Sequence, residues 1–498
     1  MRIRKENRLM LAAALLLSFL FMGLCSKSSP LYPMNDWMDA NCFFTVGKSM
    51  IHGLVPYRDL NEQKGPVLYA IYALAALISE HSFVGAYILD AISFGFFLFF
   101  SGLCVRLYLG KSGVVYPILI LLAGLLCSVE ASAHGGSAEQ LFLSVLLGSL
   151  YLIDRALCEN RLLKLWEAFV IGICAGLCLY TKFTFLGFYF GLALFVLVWY
   201  CRFEKQPRAL PGIIGCFLGG IVAVSVPVFL YFLIHGAVGD FLQVYFYNNL
   251  FLYPNQERNK LYFYAACLYT SIRRNFRTGV LLIAAGIWLV VTVKKNYRLL
   301  TVFGLSALFL TVAVFWGGLY NIYYPMIFMV YCVYGLIGIV LLGKAVCRKS
   351  SLRLPRGTGV AANLLLIVLL LAYAYKTSSN TYLLGTPKED MPQYRFAQQI
   401  RKREDPTLLN FGFLDSGFYF AADVLPVNYN FCRLNLVTEE AEQEQRQIIE
   451  DAAVDFVVLW DTRLEECPLD ASRYALVDNA EMYYEGVVYT YYLYERVD

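Results

Sequence analysis

The chain has 498 residues, of which 59% are hydrophobic and only 16% charged, and its mean hydropathy is +0.57. Soluble proteins carry about 25% charged residues, so these figures exclude a water-soluble enzyme and describe a polytopic membrane protein. The net charge of +4 says little because the charges are sorted by side, and no nucleic-acid partner is expected.

Eleven apolar segments fall near 9–25, 83–105, 113–130, 140–157, 167–181, 183–200, 209–234, 278–293, 299–316, 323–343 and 358–376. Each approaches the ~20 residues that a helix needs to cross the hydrocarbon. Arg2, Arg4, Lys5 and Arg8 precede the first, which places the N-terminus in the cytoplasm. That segment is apolar enough for a secretory signal. No small-x-small cleavage site follows it, so it reads as an anchor.

Between the first two spans lies an outer loop, residues 26–82. Its last part, PVLYAIYALAALIS, is too short for a comfortable crossing, and counting it as a span would reverse every later loop. Read instead as an interfacial or re-entrant helix, it leaves 20 of the 41 Lys and Arg in short inner segments. Among them are Lys111, Lys294, Lys295, Arg348, Lys349, Arg353 and Arg356. The reversed topology would put these outside, against the positive-inside rule.

Residues 1–376 therefore form the transmembrane part and 377–498 a small extracytoplasmic α/β domain. In the latter, Gln393 to Lys402 and Glu439 to Asp451 read as helices. Segments 407–411, 455–460, 473–476 and 486–494 read as strands. A stretch of ~120 residues can bury its own core. Most of the 14 cysteines, such as Cys104, Cys127, Cys174, Cys178 and Cys216, fall in spans and act as small hydrophobes. Cys432 and Cys467 are candidates for an outer disulfide, although their spacing does not require one. There is no CxxC, metal-finger spacing, phosphate loop, nucleotide fingerprint or internal repeat.

The first outer loop holds Asp36, Asp39, Asp59 and Glu62, with Lys48, Arg58 and Lys64 among them. Acids beside apolar helices suggest chemistry or ion binding. Asp39 opens an aromatic stretch in which Phe43, Phe44, Val46, Met50 and Ile51 recur at near-helical spacing. It serves equally well as the helix N-cap or as a reacting carboxylate, with Asp36 its competitor. Pro56 and Pro66 bracket Asp59 and Glu62 on a non-helical path, where pairing with Arg58 and Lys64 is the plain reading.

The second outer loop, EASAHGGSAE, ends in Glu139 at the start of a span. Glu139 either favours the helix N-terminus electrostatically or acts as a second acid. His134 and Glu139 alone do not make a metal site. Lys182 lies between two spans joined almost without a loop, where it snorkels or meets an anion. Arg273, Arg274 and Arg277 precede the eighth span on the outer side, suited to phosphate or lipid headgroups. The Tyr- and Asn-rich loop from Asp240 to Tyr264, and the turn Asn321, Tyr323, Tyr324, Pro325, fit interfacial anchors or a weak sugar platform.

Together these parts resemble the polytopic GT-C-fold glycosyltransferases, near the bacterial relatives of the protein mannosyltransferases and the aminoarabinose transferases. The family pattern is an acid in the first outer loop, then Gly-x-x-Pro-Tyr-x-Asp and a Gly-Pro turn into an apolar helix. Here these are Asp39, then Gly53, Pro56, Tyr57 and Asp59, then Gly65 and Pro66. Glu139 matches the second-loop acid and Lys182 the later lysine. Many relatives have Asp-Glu where this chain has Asp39-Ala40.

The resemblance implies a polyprenyl-phosphate-linked sugar as donor and an envelope glycan, lipid or protein hydroxyl as acceptor at the outer face. It implies inversion with Asp39 as general base and Glu139 positioning the acceptor or a cation. Lys182, Arg273 and Arg274 would take the phosphate, and Tyr57 and Asp59 belong to the substrate region. A divalent cation, Mg or Mn, is used by some relatives and not others. Two other readings stay open: a transporter or flippase for a lipid-linked glycan, and a non-catalytic scaffold of an envelope-polymer machine. Transport favours acids buried mid-span, and only Asp90 lies well inside one.

Overall fold

A computed structural model describes residues 2–110, 113–252, 260–293, 296–346, 358–484 and 486–497. Lys111, Arg258, Lys294, Lys295, Arg348, Lys349, Arg353 and Arg356 lie outside the described residues. Among those described, eight helices are long and apolar enough to cross a membrane. They are Lys5–Cys25, Val84–Leu109, Ala138–Cys158, Phe183–Phe203, Pro207–Ile234, Tyr297–Val314, Tyr324–Ala345 and Gly359–Thr377. The chain is a multi-pass membrane protein.

The other three expected spans are helical too, but two are short: Val115–Leu126 and Leu165–Leu179. The third, Phe276–Thr292, meets a preceding helix, Lys260–Arg274, at a bend of 117°. The preceding helix covers residues that the sequence suggested as loop. Asn275 holds the bend: its side-chain amide donates to Ser271 O, and its Oδ1 accepts from the Ala131 N–H at 2.8 Å.

Contacts divide the chain into two compact units. The first comprises Met1–Ser29, Tyr87–Pro227 and Asn255–Tyr382. Its apolar exterior suits lipid: Leu218, Val222, Leu364, Leu365 and Val368 are all exposed. Its spans approach backbone to backbone where a side chain would intervene. A Cβ at Gly172 would lie 2.0 Å from Phe217 O, and one at Gly220 2.2 Å from Phe169 O. Small residues at such crossings let dispersion contacts hold helices together where the hydrophobic effect cannot.

The second unit comprises Pro30–Ala86, Val228–Pro254 and Leu383–Asp498. Two of its helices come from the first loop, Met38–Ile51 and Pro66–Ile78. Pro66 starts the latter at a position where a missing N–H costs nothing. At 13 residues it is about 20 Å long, short of the ~30 Å hydrocarbon, as expected of an interfacial helix. It packs closely on Met38–Ile51 because Gly47 has no side chain: a Cβ there would lie 2.6 Å from Ala73 N.

The C-terminal part of this unit is a mixed four-stranded sheet. Strand β1 (Leu408–Asn410) pairs in parallel with β2 (Phe456–Trp460). Strands β3 (Tyr474–Tyr484) and β4 (Val487–Arg496) form a hairpin, and β4 lies antiparallel to β2, giving the order β1-β2-β4-β3. Helix Glu439–Glu450, capped by the Thr438 side chain, covers a core of Leu409, Phe411, Ile449, Val454, Val457, Leu459 and Tyr474. The expected strands are all present, and β3 runs longer than its apolar residues indicate.

Candidate functional site

The helix Met38–Ile51 begins two residues earlier than an N-cap at Asp39 would place it. The Asn35 Oδ1 accepts from the Trp37 N–H at 3.1 Å, which turns the chain and makes Trp37 the N-cap. Asp39 is therefore not the cap. It sits in the first helical turn, buried, where the helix dipole favours its charge. Asp36 is buried as well.

A tight turn then brings a cation to Asp39. Tyr57 adopts φ 70°, a left-handed conformation that is costly for a bulky residue. Its ring compensates by packing among Tyr69, Phe232, Phe241 and Tyr245. Its hydroxyl donates to Lys64 O at 2.5 Å. Asp59 closes the turn: it accepts from the Val55 N–H at 2.7 Å and takes both arms of the Arg58 guanidinium. That pairing holds the Asp59 carboxyl below its usual range. Tyr57 and Asp59, expected in the substrate region, are thus engaged in shaping the path to Lys64.

Lys64 Nζ lies 4.0 Å from Asp39 Oδ2 and 4.0 Å from Glu62 Oε1. It also stands 5.5 Å from the centre of the Phe43 ring. Glu62 is buried, and its Oε2 accepts from the Tyr69 hydroxyl and from the Lys64 N–H. Burial raises its carboxyl above the usual range, opposed by the Lys64 charge. Glu62 and Lys64 were read from sequence as a plain surface pair, and the tertiary structure makes them neighbours of the candidate base. Both carboxylates converge on an ammonium, and among the described residues no group of three or more His, Cys, Asp and Glu offers a metal-ligand set.

The first unit holds a second polar cluster. His134, Gly135 and Gly136 all have positive φ, so the loop before Glu139 turns sharply. Asn380 Oδ1 accepts from the His134 N–H at 3.0 Å, and Asp90 accepts from the Gly136 N–H at 2.9 Å and from the Gln140 amide at 3.1 Å. Ser137 caps the short helix Ala138–Leu141. Glu139 is thereby presented, buried, to Lys182, with Oε1 and Nζ 2.5 Å apart. The ammonium also lies 4.0 Å from the centre of the Tyr324 ring and 5.5 Å from that of Tyr323. Arg274 reaches Glu130 at 3.6 Å, and Arg273 is exposed.

The structure therefore joins Glu139 to Lys182 within one unit, and Asp39 to Lys64 and Glu62 within the other. The sequence signal for the missed pair was the string Asn61-Glu62-Gln63-Lys64 just before the Gly65-Pro66 turn. Nothing local distinguishes it from a solvated charge pair.

No protein-family model matches the chain, and no curated protein matches it. Solved structures do. ArnT from Cupriavidus metallidurans bound to undecaprenyl phosphate superposes with a TM-score of 0.58 at 14% identity, covering 97% of each chain. The same protein in the apo state gives 0.56 at 14% identity, covering 99% of this chain and 98% of that one. The chain has the GT-C glycosyltransferase-like fold.

Proposed function

We propose that this protein is a membrane glycosyltransferase that moves a sugar from a polyprenyl-phosphate donor to an acceptor hydroxyl at the outer face, with inversion. The observation that carries the reading is the convergence of Asp39 and Glu62 on Lys64 at 4.0 Å each. Inverting transfer needs a carboxylate to take the acceptor's proton and a cation to receive the leaving phosphate, side by side. The undecaprenyl phosphate bound by ArnT supports a lipid-phosphate donor.

In the proposed step the acceptor oxygen attacks the anomeric carbon from the face opposite the phosphate. The bond from that carbon to the phosphate oxygen breaks, and its electron pair leaves with the polyprenyl phosphate. Asp39 takes the hydroxyl proton. Lys64 meets the phosphate charge, and Glu62, tied to the Tyr69 hydroxyl, orients the lysine. Glu139 and Lys182 form a neutral pair that opens to charged substrate groups. Arg273 and Arg274 serve the lipid phosphate or headgroups. The acceptor is an envelope glycan, lipid or protein.

The test is release of undecaprenyl phosphate from a panel of undecaprenyl-phosphate sugars by purified protein in lipid. Asp39→Asn is expected to lower turnover by about 10²–10⁴-fold, far more than the roughly 0.3–1 kcal/mol of stability that the lost charge at the helix N-terminus accounts for. Full turnover by that variant overturns the assignment of the base.

A further inference from the structure

Two thiols outside the proposed chemistry face each other in the second unit. Cys42 Sγ and Cys432 Sγ are 3.9 Å apart, both side chains are buried, and the residues are 390 positions apart in the chain. The sequence suggested Cys467 as the partner of Cys432. Cys467 packs instead against the core of the sheet, beside the buried cluster that includes Leu409, Ile449 and Val457.

Contacts other than the sulfurs hold both backbones in place. Thr45, one turn beyond Cys42, donates to Asp415 Oδ2 at 2.6 Å, and Lys48 pairs with Asp423. On the other side the Tyr419 hydroxyl donates to Phe431 O at 2.9 Å, and the Arg433 N–H donates to Phe413 O at 2.9 Å. Disulfide sulfurs stand about 2.05 Å apart. Starting from 3.9 Å, each sulfur must move by about 1 Å, within the swing of a side-chain torsion.

We propose that Cys42 and Cys432 form a disulfide that ties the helix carrying Asp39 to the C-terminal domain. The bond forms by two thiol–disulfide exchanges with an external disulfide, either a small one or a dithiol oxidoreductase in its oxidised form. One thiolate attacks that disulfide and makes a mixed disulfide, and the second displaces it. Two protons leave, and the external disulfide departs as two thiols, reduced by two electrons. Burial raises both thiols above their usual range, Cys42 well above it. They are weak nucleophiles once enclosed, so the exchange belongs to the stage at which the domain closes on the helix. Cys432 borders a small cleft lined by Asn61, Asn430, Arg433, Glu442 and Gln445.

The inference stands on this geometry and not on the proposed transfer. Full-length protein is isolated after its free thiols are blocked with N-ethylmaleimide at lysis, then digested without reduction. A second sample is reduced, loosened in mild denaturant and treated with oxidised glutathione. Mass spectrometry is expected to find a peptide linking Cys42 to Cys432 in at least one sample, lost in Cys42→Ser. Recovery of both cysteines unlinked in both samples, or of Cys432 joined to Cys467, overturns the proposal. The linkage is read on the wild-type chain, so the result does not depend on folding of the variant, and loss of transfer activity would leave it untouched.

Discussion

Glu139 and Lys182, 43 residues apart, form an ion pair with oxygen and nitrogen 2.5 Å from each other, the carboxylate buried and the ammonium partly so, roofed by the ring of Tyr324. Breaking one side of such a pair leaves an uncompensated charge in a low-dielectric setting. Lys182→Met is expected to cost about 3–5 kcal/mol of stability, read as a lowered unfolding midpoint in detergent. The double variant Glu139→Gln with Lys182→Met should recover most of that loss. If the pair also serves transfer, the double variant regains stability but not turnover.

The hydroxyl of Tyr57 is bonded to the carbonyl of Lys64. Tyr57→Phe keeps the ring cluster and deletes that bond, at a cost of about 1 kcal/mol. The turn that presents Lys64 then loosens. The expected outcome is a fall in kcat of about tenfold or less with KM nearly unchanged, measured by steady-state kinetics on the donor that proves active. A rise in KM alone would indicate that Tyr57 contacts substrate rather than positioning the lysine.

Gly47 is the contact point of the two first-loop helices. Gly47→Ala must push the Met38–Ile51 helix off the Ala73 backbone, which has no flexible end to yield. Overpacking of this kind costs about 1–3 kcal/mol. Because the same helix carries Asp39, transfer should fall together with thermal stability, and circular dichroism should show the helix content retained.

Asp415 is fully buried, and burial pushes its carboxyl from 3.8 up to about 6, against hydrogen bonds from Thr45, Gly417 and Asn410. A folded-state value above the unfolded one means that the folded protein holds the proton more tightly. Its contribution is complete below pH 3.8 and is lost as pH rises through about 6. The expected signature is a decline in stability across that window, removed by Asp415→Asn. The amide keeps an acceptor for the Gly417 N–H and can donate to the Thr45 hydroxyl. Unfolding midpoints of both proteins from pH 4 to pH 7 check this, and parallel curves would refute it.

The membrane-spanning architecture was legible in the sequence because lipid acts locally. Backbone groups in hydrocarbon must be satisfied within their own helix, so each span declares itself as a run of apolar residues, and charge asymmetry suggests orientation. The short helix Pro66–Ile78 was readable from its length, and the strands near 408 and 456 from their own residue pattern. The bend at Asn275 was not, because it depends on a hydrogen bond to residue 131.

The site divides along the same line. Asp39 stood out by itself, an acid in an aromatic helix beside lipid. Its partners did not, because Glu62 and Lys64 look like any exposed pair until a left-handed Tyr57, held by rings from residues 232–245, folds the loop back. Glu139 with Lys182, and Cys42 with Cys432, meet across 43 and 390 residues. Composition and periodicity carry information about a residue's solvent. Which charges and thiols become neighbours is decided by long-range packing, and only the tertiary structure holds that.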